Sequence, residues 1–276
     1  MKVKLIDGMF SHEDDPGRLG PGGQGTPAIS WERGEVDSKS CFVTDHDIIN
    51  MTTVPDHKYK VAFVLENREI VSEAVSSLLN DNTRFDYILT HDEQLLKKEN
   101  ALPYPTIQYH VSDFSPPNKE RMVSMVSSNK NWASGHAVRH EIIRKYNGRF
   151  DLYGRGFNPI ENKEDGLRPY LFSIAVENSK SDWYFTEKIL DCFASHTVPI
   201  YWGCPNIGDF FNSDGIITIN SADDLDDVLN NLSVDDYMGM LSAVQENYNL
   251  VCTKYSSCEQ WLYDTYRFLF EDSVNV

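Results

Sequence analysis

Tyr170–Gly203 reads YLFSIAVENSKSDWYFTEKILDCFASHTVPIYWG. Its opening run, Tyr170 to Val176, is apolar apart from Ser173, the pattern of a strand covered on both faces of a parallel sheet. The run closes on Glu177, Asn178 and Ser179. Polar groups at the carboxyl end of such a strand face the crevice where open α/β sheets bind ligands. The following helix is predicted to begin near Asp182. On it, Tyr184, Glu187 and Lys188 stand at i, i+3 and i+4 and share one face. The amides and dipole of the helix start favour a phosphate at that place. Lys188 then neutralises a diphosphate, and Glu187 accepts hydrogen bonds from two ribose hydroxyls. Taken alone, a Glu-Lys pair is an ordinary solvated helix face and a strand-ending Asn an ordinary turn residue. Together on one strand–turn–helix unit they mark an anion or nucleotide site.

The alternation continues on both sides of this segment. Upstream lie the strand RMVSMVSS, the amphipathic helix SGHAVRHEIIRKY with Ser134 as its expected N-cap, and the strand FDLYG. Downstream lie GIITI, the acid-opened helix ADDLDDVLNNL, and a tail from Val234 to Phe270 that reads as helical almost throughout. The first part of the chain offers strands at Val3–Ile6, Cys41–Asp45, Lys60–Glu66 and Phe85–His91, with a helix over Glu69–Leu79. Strands alternating with helices predict parallel sheets with crossover helices. At 276 residues the chain is long enough for two domains. The proline-containing polar stretch before Arg121 places their boundary, giving 1–120 and 121–276, with the last helix free to pack on the first domain. The segment SHEDDPGRLGPGGQGTP reads as a long surface loop or lid. Its glycines do not link a strand to a helix and earn no phosphate-cradling role.

The formal net charge is -17, from 42 acidic against 25 basic residues, which argues against nucleic acid or an anionic membrane as the main partner. A small anionic ligand stays possible, because a few cations in a cleft set the local potential. The five cysteines, 41, 192, 204, 252 and 258, form no C-x-x-C pair and read as reduced thiols rather than zinc ligands. With no transmembrane run or signal peptide visible, a cytoplasmic protein is expected.

The pattern Glu177-Asn178-Ser179, then Tyr184-Phe185-Thr186-Glu187-Lys188, then Val198-Pro199-Ile200-Tyr201-Trp202-Gly203 resembles the signature of family 10 glycosyltransferases, the alpha-1,3/1,4-fucosyltransferases, with the bacterial members nearest. The resemblance extends upstream through MVSSNKNWASGHAVRHEIIRKYNGRFDLYGRG, where Arg139 falls at the family's diphosphate-contacting arginine. A fixed five-donor guanidinium suits that task. In the first half, KVAFVLENREI followed by FDYILTHDEQLL is similar to the family's strand, G-E-N and F-D-Y stretch. On that register Glu66 takes the place of the catalytic base, against the plain alternative of a helix-capping glutamate. Phe63 stands where bacterial members carry a tyrosine.

The resemblance implies an α/β, GT-B-like architecture of two Rossmann-like domains facing a cleft, with a helical C-terminal tail. It implies an inverting glycosyltransferase that needs no metal or other cofactor. The donor is a nucleotide-diphosphate sugar, GDP-fucose or another such as UDP-xylose, and the acceptor is a glycan hydroxyl. The donor set is then Arg139, Glu177, Asn178, Tyr184, Thr186, Glu187 and Lys188, with Glu66 as base. Two other readings stand beside it. Asp45 and Asp47 form an Asp-x-Asp at a strand end that would hold Mg²⁺ or Mn²⁺ in a metal-dependent GT-A-type transferase. A non-catalytic carbohydrate-binding module is the other.

Overall fold

The computed structural model describes residues 1–8, 27–51 and 53–272. The glycine- and proline-rich segment read as a loop or lid lies outside the described residues except for Pro27. The chain divides into two compact units. Among the described residues, one comprises 1–8, 27–51, 53–106 and 257–272; the other comprises 107–256.

The first unit contains β1 (Lys2–Ile6), β2 (Ser30–Glu32), β3 (Ser40–Thr44), the short helix α1 (Asp47–Asn50), β4 (Tyr59–Phe63), α2 (Ser72–Asn80), β5 (Tyr87–Thr90) and β6 (Ala101–Pro103). Its strands form one parallel sheet in the order β2-β1-β3-β4-β5-β6. Two strands escaped the sequence reading, β2 and β6. Each has three residues, too few to show a period, and β6 ends on Pro103 at the sheet edge, where a missing N–H is tolerated. Ala62, Val64, Ala74, Leu78 and Ile88 are fully buried in a core between sheet and helices.

The second unit contains β7 (Arg121–Val126), α3 (Ser134–Tyr146), β8 (Asp151–Tyr153), β9 (Tyr170–Val176), α4 (Glu187–Ala194), β10 (Val198–Trp202), β11 (Ile217–Thr218), α5 (Asp224–Asn231) and α6 (Val234–Thr253). Its parallel sheet runs β8-β7-β9-β10-β11. All seven residues of β9 are buried, as its apolar run requires of a central strand. Counted within the unit the strand order is 2-1-3-4-5, so the winding direction reverses between β7 and β9. The crevice outside the carboxyl ends of those two strands is where doubly wound sheets take ligands. These two sheets with their helices are the parallel α/β architecture expected of a GT-B chain.

The unit boundary falls at 106/107, upstream of the position read from the sequence. Residues 107–120 pack within the second unit: the His110 amide donates to Asp191 at 3.0 Å, and the Lys119 ammonium is held by the Tyr170 and Ser195 carbonyls. The last helix, α7 (Cys258–Thr265), belongs to the first unit. There the Trp31 indole donates to Glu259 at 2.8 Å, and Phe42 stacks on Phe270 at 5.8 Å.

Two local expectations are corrected. The helix expected near Asp182 starts at Glu187, because Trp183 sits at φ 65° and the chain turns there before α4 can begin. Tyr184 therefore lies before the helix and is fully buried rather than on a face shared with Glu187 and Lys188. In α3 the cap position is Ala133, and Ser134 is the first helical residue. The reach-back partner is His136, whose Nδ1 accepts the Ala133 N–H at 3.0 Å.

Gly154 follows β8 at φ 112°, and a Cβ there would lie 2.0 Å from the Ser127 carbonyl oxygen. Gly148 has φ 88° but open space around it. Gly148→Ala should cost about 1–2 kcal/mol, the left-handed penalty alone. Gly154→Ala should cost clearly more, since a backbone carbonyl must move. Urea denaturation of the two variants decides this, and equal losses would show that the Gly154–Ser127 contact carries no energy.

Candidate active site

At the β7/β9 reversal lies a cavity of about 260 Å³, near the lower end of ligand pockets at ~300–1,000 Å³. Its walls are Val126, Ser127 and Ser128 where β7 ends, Ser173 to Val176 of β9, Arg139 of α3, Gly154 and Arg155 after β8, Lys163, and Glu187 and Lys188 of α4, with His110 also at the wall. The order of the strands brings the β7, β8 and β9 ends together, and α3, α4, His110 and Lys163 complete the wall.

The strand–turn–helix unit is built on Glu177. Its carboxylate is completely buried. It accepts the Thr186 N–H at 2.9 Å and the Thr186 hydroxyl at 2.7 Å, and stands 3.4 Å from the Lys188 ammonium. Thr186 is the N-cap of α4 and accepts the Lys188 amide at 3.4 Å. The negative charge that a helix start attracts is thus supplied by the protein itself. The α4 N-terminus does not stand open for a phosphate as the sequence suggested, because Glu177 occupies it.

Arg139 is buried, with Nε donating to the Val176 carbonyl at 3.0 Å and Nη2 to the Asn178 side-chain oxygen at 2.9 Å. No hydrogen bond from Nη1 is recorded among the described residues. Asn178 orients this guanidinium, and its own carbonyl accepts the Gly135 N–H at 2.9 Å. Gly135 is required there, since a Cβ would fall 1.8 Å from the Glu177 carbonyl oxygen. Lys188 donates to Thr186 Oγ1 at 2.9 Å and to Glu187 Oε1 at 3.0 Å. Gln108 donates to the other Glu187 oxygen at 2.9 Å. Lys163 forms a 2.7 Å ion pair with Asp191, whose side chain is fully enclosed.

Of the residues expected from the sequence, Arg139, Glu187 and Lys188 line the cavity. Glu177, Asn178, Tyr184 and Thr186 do not; the first, second and fourth hold the liners in place. Glu66 lies in the first unit, half-buried, just beyond β4. Asp45 and Asp47 are engaged within the protein: Asp45 Oδ1 accepts the Leu65 amide at 2.8 Å. Asp45 is fully buried, whereas Asp47 accepts the Gly8 amide at 2.6 Å. Among the described residues no group of three His, Cys, Asp or Glu is arranged to hold a metal ion. Phe63 is fully buried against Phe42 and Tyr104, so its departure from tyrosine concerns packing of the first unit's core.

Arg155 and Lys163 were missed. Arg155 follows a strand end in the turn Gly154-Arg155-Gly156, so the carboxyl-end rule applied to β8 would have found it. It is exposed, and no ion pair of its side chain is recorded among the described residues. Lys163 had no signal, because its place depends on the buried Asp191 one helical turn beyond Glu187. Four cations thus line the cavity of a chain whose net charge is -17.

Burial opposes ionisation of Glu187, but Lys188, Lys163 and His110 outweigh it and hold the carboxyl well below its ordinary value of 4.5. A lowered acid stabilises the fold at pH above its unfolded value and loses that contribution as pH falls through its folded value. Glu187→Gln should therefore flatten the acid limb of stability, measured as urea midpoint against pH below about 4.5. An unchanged acid limb would show that Glu187 is not charge-coupled to these cations.

Residues 116–250 match the model of the glycosyltransferase family 10 (fucosyltransferase) C-terminal domain. The alpha-(1,3)-fucosyltransferase FucT of Helicobacter pylori is 32% identical over 129 residues, 46% of this chain and 27% of that protein. A putative fucosyltransferase-like protein of Arabidopsis thaliana is 34% identical over 92 residues, 32% of this chain and 18% of its own length. The chain thus matches about a quarter or less of the length of these curated relatives. A crystal structure of alpha1,3-fucosyltransferase with GDP-fucose superposes with a TM-score of 0.52 at 18% identity, covering 83% of each chain. Staphylococcus aureus TarM, in a complex that includes UDP, superposes at 0.56 and 15% identity, covering 86% of this chain and 56% of its own. These two likenesses speak for the fold. The E-N-S, Y-x-T-E-K and V-P-I-x-x-G segments all lie inside the matched span, so residues 116–250, just under half of the chain, are similar to the C-terminal domain of the family 10 glycosyltransferases.

Proposed function

We propose that the protein is an inverting glycosyltransferase that moves a sugar, fucose on family grounds, from a nucleotide-diphosphate sugar to a glycan hydroxyl. One observation carries the reading: a cation-lined cavity at the strand-order reversal of a domain similar to that of family 10. Arg139, through Nη1, and Arg155 bind the diphosphate, and Lys188 and Lys163 supply positive charge behind them. As the glycosidic bond breaks, negative charge grows on the leaving diphosphate, and preorganised cations stabilise it more than they stabilise the ground state. Glu187, kept ionised, accepts the ribose hydroxyls. Glu66 takes the proton of the attacking acceptor hydroxyl. In-line attack on the face opposite the diphosphate inverts the anomeric centre.

GDP-fucose is the leading donor because the family and the fucosyltransferase structure point to it. Full burial of Asp45, with Oδ1 already accepting the Leu65 amide, weighs against the metal-dependent alternative. No disulfide joins any of the five cysteines. No helix among the described residues is long and apolar enough to cross a membrane.

The test is turnover with a panel of GDP-, UDP- and CMP-sugars and glycan acceptors, with and without EDTA, reading the anomeric configuration of the product by NMR. GDP-fucose should be consumed with EDTA present and the linkage inverted. Transfer from a UDP-sugar alone would replace the donor, and loss of turnover in EDTA would restore the metal-dependent reading. Arg155→Ala should weaken GDP binding roughly tenfold to a hundredfold, the loss of one charge-assisted contact. Its melting temperature should match wild type. Unchanged GDP affinity would remove Arg155 from the site.

A further inference from the structure

In the first unit, Asp7, Asp45 and Glu66 follow the carboxyl ends of three neighbouring strands, β1, β3 and β4. The sheet order reverses between β1 and β3, so Asp7 and Asp45 flank the first unit's own ligand crevice. Asp7 accepts from the Thr44 hydroxyl at 3.1 Å and pairs with Arg33 at 3.0 Å. Asp45 differs from its neighbours. It has φ 37°, a left-handed conformation that a non-glycine residue adopts only when the surroundings enforce it. It has no exposed surface. Its Oδ1 accepts the backbone N–H of Leu65 at 2.8 Å and of Glu66 at 3.4 Å, while its own N–H donates to the Phe63 carbonyl at 3.3 Å. Its Oδ2 is enclosed with no hydrogen-bond partner among the described residues.

A strained backbone, a buried carboxyl and an unpaired oxygen are each costly, and they coincide on the residue that grips the peptide carrying Glu66. We propose that Asp45 is a positioning residue for the base: its Oδ1 fixes the Leu65–Glu66 backbone at the end of β4 and thereby aims the Glu66 carboxylate. The proposal rests on the reading of Glu66 as base. Burial, with the charges of Glu66 and Asp7 adding to it against the Leu65 hydrogen bond, pushes the Asp45 carboxyl up to about 8. The charged groups facing it are Glu66 beyond β4 and Asp7 beyond β1, the latter paired with Arg33. At neutral pH Asp45 therefore carries a proton on Oδ2. It holds the peptide without placing a second negative charge beside Glu66.

The test compares Asp45→Asn, Asp45→Ala, Asp45→Gly and Glu66→Gln in the full chain, with kcat, donor KM, GDP affinity and melting temperature for each. Asparagine keeps the acceptor oxygen and the neutral state, so its kcat should stay within about threefold of wild type. Alanine and glycine should lower kcat by about tenfold or more, within the range that general-base catalysis supplies, with donor KM and GDP affinity unchanged. Glycine accepts the left-handed backbone and serves if the alanine variant does not fold. The ¹³C carboxyl resonance of Asp45, followed against pH, should titrate near 8 rather than near 4. Wild-type kcat in Asp45→Gly, beside a Glu66→Gln variant that has lost turnover, overturns the role of Asp45 alone. An asparagine variant as impaired as glycine shows that charge, not positioning, is needed, and also overturns it. A Glu66→Gln variant with normal turnover removes the base, and the proposal falls with it.

Discussion

The buried carboxylate of Glu177 is the interaction on which the rest of the second unit's site depends. A fully enclosed carboxylate is tolerable only with several donors around it, and here the donors are the Thr186 amide, the Thr186 hydroxyl and the Lys188 ammonium. That requirement pulls residue 186 back against the end of β9 and starts α4 at Glu187. It sets the direction in which Glu187 and Lys188 leave the helix. The same strand end fixes Arg139 from the other side, through the Val176 carbonyl and Asn178. The family signature is therefore mostly scaffold: Glu177, Asn178 and Thr186 spend their polar groups on the protein so that Arg139, Glu187 and Lys188 can face the cavity.

The electrostatic design follows. The chain is strongly acidic, yet its cavity is lined by Arg139, Arg155, Lys163 and Lys188. Two of the four are neutralised by fixed carboxylates, Lys163 by Asp191 and Lys188 by Glu187 and Glu177. Such pairing keeps the cations in place without a ligand and, on the proposed reading, leaves Arg155 and one edge of Arg139 to meet an anion. Cations fixed before the reaction need little reorganisation as charge develops.

Much of this was legible in the sequence, for physical reasons. Buried parallel strands print themselves as apolar runs, so β7, β9 and β10 were readable to within a residue or two. The carboxyl-end rule then located Asn178 and the helix after it. Four features were not readable. Tyr184 was misplaced because a side-chain capture by Glu177, nine residues away, overrides the local helical pattern. Lys163 was invisible because its role depends on a tertiary ion pair. That Phe63, which stands where bacterial members carry a tyrosine, is a core residue was not readable either, since one strand position cannot reveal which face of the sheet it lies on. The conformation of Asp45 was hidden as well: nothing in Thr44-Asp45-His46 announces a left-handed residue.

The central claim is that a nucleotide diphosphate sits in the second unit's cavity, held by side chains at the β7/β9 reversal. Hydrogen–deuterium exchange of the full chain with and without saturating GDP tests it most directly. Added protection is expected in 125–128, 154–156, 174–178 and 186–189, the segments whose amides line or support that cavity. Protection confined to residues 1–106, or no change at these four segments while GDP is bound, would contradict it.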